Sequence, residues 1–232
     1  MKFKNIVWLV FLLVALIDIL GRIYNWPQTH YIFKPMLMPL LALIFYLSIE
    51  QKVSYVYLLL IGLLLSWFGD VFLLFADNGQ YYFMAGLVSF LLAHLCYMVI
   101  FIKQSSKFKP QLFTYATGFT LVIYGFLLIV LLWPGLGTLK IPVIIYMLVI
   151  MGMGLSALFR KSIGGNLVLV GAFLFIASDS LLAINKFNEP IADADFWIML
   201  TYILAQYFIV TGMLRSFLDS HKDQSSIRVI TK

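Results

Sequence analysis

Long apolar runs, broken at short intervals by polar or turn-forming clusters, set the pattern of this chain. The runs predict eight membrane-spanning helices near Ile6–Tyr24, Phe33–Ile49, Tyr55–Phe75, Tyr81–Ile102, Leu112–Leu132, Ile141–Phe159, Leu167–Ile184 and Phe196–Leu218. At about 17–23 residues each they are long enough for a hydrocarbon core about 30 Å thick. The breaks are Asn25-Trp26-Pro27-Gln28, Glu50-Gln51-Lys52, Ala76 to Gln80, Lys103 to Pro110, Pro134 to Gly137, Arg160 to Gly165 and Asn185 to Asp195. Each is rich in residues that stop or turn a helix. Trp26, Trp133 and Trp197 lie near span ends, where tryptophan favours the membrane interface.

Composition narrows the class. Of 232 residues, 63% are hydrophobic and 11% charged, and the mean hydropathy is +1.00. Soluble domains carry about 25% charged residues, so an all-α, polytopic membrane bundle is expected. Residues 1–218 form one transmembrane domain, and 219–232 a polar cytoplasmic tail. The chain is an integral multi-pass protein, of the inner membrane if bacterial. Met1 to Leu20 begins basic and continues apolar like a signal peptide, but Gly21-Arg22-Ile23-Tyr24 offers no small-x-small cleavage site. It is expected to stay as the first helix. The lone Cys96 excludes an intramolecular disulfide.

The net charge of +6 does not point to nucleic acid. Twelve Lys and Arg residues fall on the two ends and the even-numbered loops, against four on the other side. That bias puts both termini in the cytoplasm.

Two carboxylates break the apolar pattern from within. Asp70 follows Ser66-Trp67-Phe68-Gly69, and Asp179 follows Phe175-Ile176-Ala177-Ser178. An acid at the centre of a span disfavours insertion by about 2.5–3.5 kcal/mol, and such residues usually face a bundle interior or a cavity. Spans three and seven run the same way, and each acid lies about five residues from its span's end. At 1.5 Å per residue both sit about 8 Å below the outer interface. Equal depth permits one shared site; two separate acids reaching up to water are the alternative. Gly62, Ser66, Gly69 and Asp70 share one face, as do Gly171, Phe175, Ser178, Asp179 and Leu182. Small residues let helices approach. His94 with Tyr97 and Tyr202 with Gln206 pair at helical spacing on spans four and eight, and Asn185 stands at the outer mouth.

A short repeat accompanies the acids. Leu91-Leu92-Ala93-His94 is matched by Ile203-Leu204-Ala205-Gln206, 24 residues after Asp70 and 27 after Asp179, counting to His94 and Gln206. Four spans separate the copies, so the repeat is parallel.

Two neighbouring buried carboxyls hold one proton between them and titrate as a unit. One acid then donates a proton while the other stabilises a cation or activates water, which suits acid-labile ether-like bonds. This chemistry calls for no cofactor and no metal. Zinc needs three or four ligands, and only His94 of the three histidines lies within a span. There is no Gly-x-Ser-x-Gly and no phosphate loop, and Met151-Gly152-Met153-Gly154 suits close helix packing. His94 serves either the site or a hydrogen-bonded interior. Lys34 either meets a lipid phosphate or snorkels at its span end. Asp18 is placed to pair with Arg22 four residues on.

The carriers of a family resemblance are Lys34-Pro35-Met36-Leu37-Met38-Pro39-Leu40, Ser66 to Asp70 with Leu73, Gly86 through His94 to Tyr97, Gly171 to Asp179, and Tyr202 with Ala205-Gln206. In this order and on these spans the chain resembles the YhhN family of eight-helix membrane proteins, the lysoplasmalogenases. The resemblance implies hydrolysis of the vinyl ether of a lysophospholipid by water, with Asp70 and Asp179 catalytic. His94, Tyr97, Asn185, Tyr202, Gln206 and Lys34 are then candidates for holding water or substrate, the partners being the lipid and the bilayer. A proton-coupled transporter using both acids as a relay is the rival class. An intramembrane aspartyl protease fits less well, since its Tyr-Asp and Gly-x-Gly-Asp signatures are absent in that order. The charge bias makes its own prediction. A reporter active only outside the cytoplasm should be silent at either terminus, and activity at either one would reverse the orientation.

Overall fold

The computed structural model describes residues 3–49, 54–106 and 110–230, with side chains no further than residue 219. Among these, eight long helices carry the fold: α1 (Phe3–Ile23), α2 (Pro27–Ser48), α3 (Ser54–Leu74), α4 (Gln80–Lys103), α5 (Leu112–Leu132), α6 (Lys140–Leu158), α7 (Gly165–Phe187) and α8 (Ala194–Ile230). Single 3₁₀ turns precede α4 (Ala76–Asn78) and α6 (Gly137–Leu139), and no strand occurs among the described residues. All eight helices are long and apolar enough to cross a membrane. The protein is an integral multi-pass membrane protein. The expected break Glu50-Gln51-Lys52 and residues 107–109 of the fourth loop lie outside the described residues.

Two helix ends differ from the apolar pattern. α2 begins at Pro27, six residues before Phe33. Proline supplies the φ of a first helical turn and loses nothing by lacking an N–H there, so the polar Gln28-Thr29-His30 segment is wound into the helix. α8 likewise runs on as backbone helix to Ile230, beyond the end of its apolar stretch at Asp219.

Six helices close a ring in the order α2, α3, α4, α6, α7, α8, and α8 returns to α2. α1 packs outside it on α2 and α8, and α5 on α6 and α7. α5 buries the smallest share of its length, 22%, as expected of a helix facing lipid. The ring has an approximate two-fold order. α2 packs on α3 and α8, while α6 packs on α7 and α4. The short sequence repeat thus sits in a four-plus-four arrangement of helices.

Close approach depends on glycine. A Cβ on Gly62 would stand 2.6 Å from the Tyr97 ring, and one on Gly69 2.6 Å from the Phe90 ring. α7 and α8 meet still more tightly: a Cβ on Gly171 would lie 2.7 Å from the Ala205 carbonyl oxygen and 2.8 Å from the Ile209 nitrogen. Backbone cannot retreat as a flexible side chain can.

α2 contains two interior prolines, Pro35 and Pro39. Pro39 has no N–H for the carbonyl four residues earlier, which is that of Pro35. The Trp67 indole N–H of α3 fills the gap, donating to the Pro35 carbonyl oxygen at 2.8 Å. The proline pair and the tryptophan of the two sequence motifs are therefore one joint, and it sets α2 beside the helix that carries Asp70.

Gly171→Ala should force α7 from α8 and destabilise the protein by about 1–3 kcal/mol, the usual range for overpacking. Thermal unfolding in detergent measures it, and an unchanged midpoint would show that the two helices can yield.

Candidate active site

Asp70 lies on α3, one residue beyond Gly69 and 1% exposed. Its Oδ2 accepts the Tyr202 hydroxyl of α8 at 2.7 Å. Its Oδ1 stands 3.7 Å from the Lys34 Nζ of α2. A hydrogen-bond chain continues behind it. Tyr97 donates to Gln206 Oε1 at 2.9 Å, Gln206 Nε2 donates to Ser66 Oγ at 3.1 Å, and the same nitrogen is 3.5 Å from the Tyr202 hydroxyl. Ser66, Tyr97 and Gln206 are all fully enclosed. Buried polar groups need such partners, because an unmade hydrogen bond in an apolar interior costs about 1–3 kcal/mol.

Lys34 corrects the sequence reading. It does not snorkel from a span end, but is 9% exposed and turned toward Asp70, at the border of the chamber described below. The early start of α2 explains this. Pro27 places Lys34 two turns inside the helix, where a carboxylate is the available partner for a buried ammonium.

Asp179 occupies the corresponding place on α7. Its Oδ2 accepts the hydroxyl of Tyr146 from α6. His94 of α4 directs Nε2 toward the same oxygen at 3.8 Å, beyond hydrogen-bond length. The enclosed His94 has the Phe90 backbone of its own helix beside it, and no side chain lies within hydrogen-bond length of its ring. A buried polar group left so needs a reason, and a group arriving at Asp179 would supply one. Asp179 is the more open acid, with 15% of its side chain exposed. It faces an apolar cleft with Tyr146, Val143, Met147 and Phe187.

The two-fold order of the helices reappears here. Each acid takes one partner from the helix before it, Lys34 or Tyr146. The last helix of the opposite half brings up the other group, Tyr202 hydrogen-bonded to Asp70 and His94 3.8 Å from Asp179. Phe90, Phe175 and Tyr202 stand edge to face between the clusters, with centroids 5.4–6.1 Å apart. The carboxyls share no direct hydrogen bond, and each is held by its own phenol.

Of the residues singled out from sequence, Lys34, Tyr202, Gln206 and Tyr97 gather on the Asp70 side and His94 on the Asp179 side. Asn185 does not join either. Its Oδ1 accepts the Ile191 N–H at 2.9 Å and holds the α7–α8 connection, while its side chain borders a chamber at the mouth. Tyr146 was not expected. It is the one tyrosine of its span and lies more than a turn inside, away from the interface where tyrosines gather; that position was the available signal. Asp18 and Arg22 pair as expected, Nε to Oδ2 at 3.1 Å.

The chamber, about 330 Å³, is lined by Arg22, His30, Lys34, Asp77, Lys186 and Asp195 among others. Leu73, Phe83 and Leu182 border both it and the apolar cleft, a shared wall that forms the neck between the two spaces. Among the described residues no three His, Cys, Asp or Glu side chains converge to hold a metal ion.

Fold and site together define a polytopic membrane protein with a partnered acid buried in each half. The sequence profile of the YhhN family matches residues 29–213, and the chain belongs to that family. It is similar to lysoplasmalogenase TMEM86A of Bos taurus, 32% identical over 164 residues that cover 67% of this chain and 65% of that protein. A lysoplasmalogenase of Mycobacterium tuberculosis is 33% identical over 156 residues, covering 65% and 58%. Lysoplasmalogenase TMEM86B of Rattus norvegicus is 33% identical over 179 residues, covering 77% and 71%. The chain thus spans just under two-thirds of the first of these and under six-tenths of the second. No solved structure matches it.

Replacing Gln206 by Leu takes the amide partner from the Tyr97 and Ser66 hydroxyls and leaves them only their long contact with each other, at 3.4 Å. A loss of about 1–3 kcal/mol is expected, read as an earlier unfolding transition in detergent. An unshifted transition would show that water replaces the lost amide.

Proposed function

We propose that the protein hydrolyses the vinyl ether of a lysoplasmalogen, giving a fatty aldehyde and a glycerophospho-base. The observation that carries this is Asp179. It is a carboxyl hydrogen-bonded by Tyr146 at the wall of an apolar cleft, with a polar chamber beyond the neck. A single-chain lipid has that division of oily and polar parts. The curated relatives named lysoplasmalogenase support the same substrate.

The chemistry follows from the substrate. A vinyl ether accepts a proton on the carbon remote from oxygen and becomes an oxocarbenium ion. Water adds to the carbon bearing oxygen and loses a proton, and the hemiacetal collapses to aldehyde and alcohol. Asp179, which meets the cleft, gives the first proton. Tyr146 orients it, and His94 Nε2, 3.8 Å from the same carboxyl, is left to hold the attacking water. Asp70 stays paired with Lys34 and contributes negative charge near the developing cation. Preplaced charge in a water-poor site is worth far more than in bulk water. Asp70 and Asp179 thus act as neighbours with separate partners.

The relay of a transporter would need an open path on both sides of the acids. Asp70 is closed in by Tyr202, Gln206 and Phe90, which favours a dead-end site reached from the cleft.

Purified protein given a lysoplasmalogen in D₂O should release an aldehyde with one deuterium on the carbon next to the carbonyl. A saturated lysolipid should release none. Asp179→Asn should lower turnover by about 10²–10⁴-fold, as loss of a general acid does, and Asp70→Asn should also fall steeply. Full activity in either variant, or aldehyde without deuterium, would overturn the mechanism. Flux into sealed vesicles without any aldehyde would replace it with transport.

A further inference from the structure

We propose that the polar chamber is a phosphate site that takes the phosphodiester of a single-chain lipid head group, with Lys186 and His30 as its donors. This rests on the hydrolase reading above and adds to it the place where the head group is held.

Three features of the chamber support it. The first is unspent positive charge. Arg22 is committed to Asp18 at 3.1 Å, with Asp195 at 4.0 Å. Lys186, by contrast, has no carboxylate within ion-pair distance among the described residues and lies 5.5 Å over the ring of Phe83. The second is an unmade hydrogen bond. His30 Nδ1 is buried and has no hydrogen-bond partner; its contact with Asp18, 3.8 Å, is too long to be one. Lys34 also keeps free donors, since its Nζ stands 3.7 Å from Asp70. A phosphate oxygen would satisfy all three groups, and a strong acceptor is what an ammonium and an imidazole N–H call for.

The third feature is register. Phe83, beneath Lys186, is one of the three residues that border both the chamber and the cleft. A phosphate held at Lys186 therefore sits on the chamber side of the wall the two spaces share, and Asp179 lies on its cleft side. A lysolipid places a glycerol unit between phosphate and ether oxygen, which is the part the neck would clasp. Asp77 and Asp195 border the chamber as well, so an amine on the far side of the phosphate meets carboxylates rather than the lysine.

The test uses ligands that cannot react, so that it stands apart from catalysis. The full-length protein in detergent is titrated with a 1-O-alkyl-glycerophosphoethanolamine and with the matching 1-O-alkylglycerol, which lacks phosphate. The phospholipid should bind the wild type more tightly. Lys186→Met should weaken it by about tenfold, the scale of one hydrogen bond to a charged group, and leave the alkylglycerol unaffected. Lys186→Arg should restore the affinity, and His30→Phe should weaken the phospholipid alone. Equal losses for both ligands, or none, would overturn the proposal. So would inorganic phosphate binding as tightly as the lipid, which would make the chamber a site for free anion. A selective loss in a protein that releases no aldehyde would keep the phosphate site and retire the hydrolase.

Discussion

A carboxyl group in a membrane interior has to find its partners within the protein, because lipid supplies none. The bundle contains two such groups, and the way each is provided for explains why six of the helices stand where they do. Asp70 draws together α2, α3 and α8 through Lys34 and Tyr202. Asp179 joins α7 to α6 through Tyr146, with His94 of α4 standing 3.8 Å away. Breaking either set leaves a buried charge or donor without compensation, a loss far larger than that of a surface ion pair. The acids are therefore a constraint on the ring around them as well as the groups assigned to the proposed reaction.

Close packing makes the partnerships possible. Hydrogen bonds across helices need short interaxial distances, and in lipid these come from small residues in contact rather than from a hydrophobic drive. Gly62 and Gly69 admit the rings of Tyr97 and Phe90, and Gly171 admits the backbone of α8. The Trp67 bond to the Pro35 carbonyl does related work on the other flank of α3, since it repairs the gap that Pro39 leaves and holds Lys34 within reach of Asp70.

The two acids share a design without sharing an environment. Asp70 has an ammonium beside it and a closed network behind it. Asp179 has a phenol, an imidazole nearby and an opening to the cleft. Approximate two-fold order thus yields one enclosed carboxyl and one more accessible one. The proposed reaction would use that difference, the accessible acid as proton donor and the enclosed one as a charge. The cleft and the chamber add a direction, oily on one side of the neck and charged on the other.

Much of this was legible along the chain. Apolar run length determined eight spans, because the thickness of hydrocarbon sets how many residues a helix needs to cross it. Helical spacing set Asp70 and Asp179 among small residues, paired Asp18 with Arg22 and put Tyr202 beside Gln206, whereas His94 and Tyr97, expected on one face, turn to different acids. These are facts about one helix at a time. Tertiary structure alone decided that Asp70 meets Lys34 and Tyr202, that Asp179 meets Tyr146, and that Phe90 and Phe175 stand between them. Periodicity reports which residues share a face of one helix. Which faces meet depends on how side chains from segments a hundred residues apart interlock, and that is settled only when the whole ring closes.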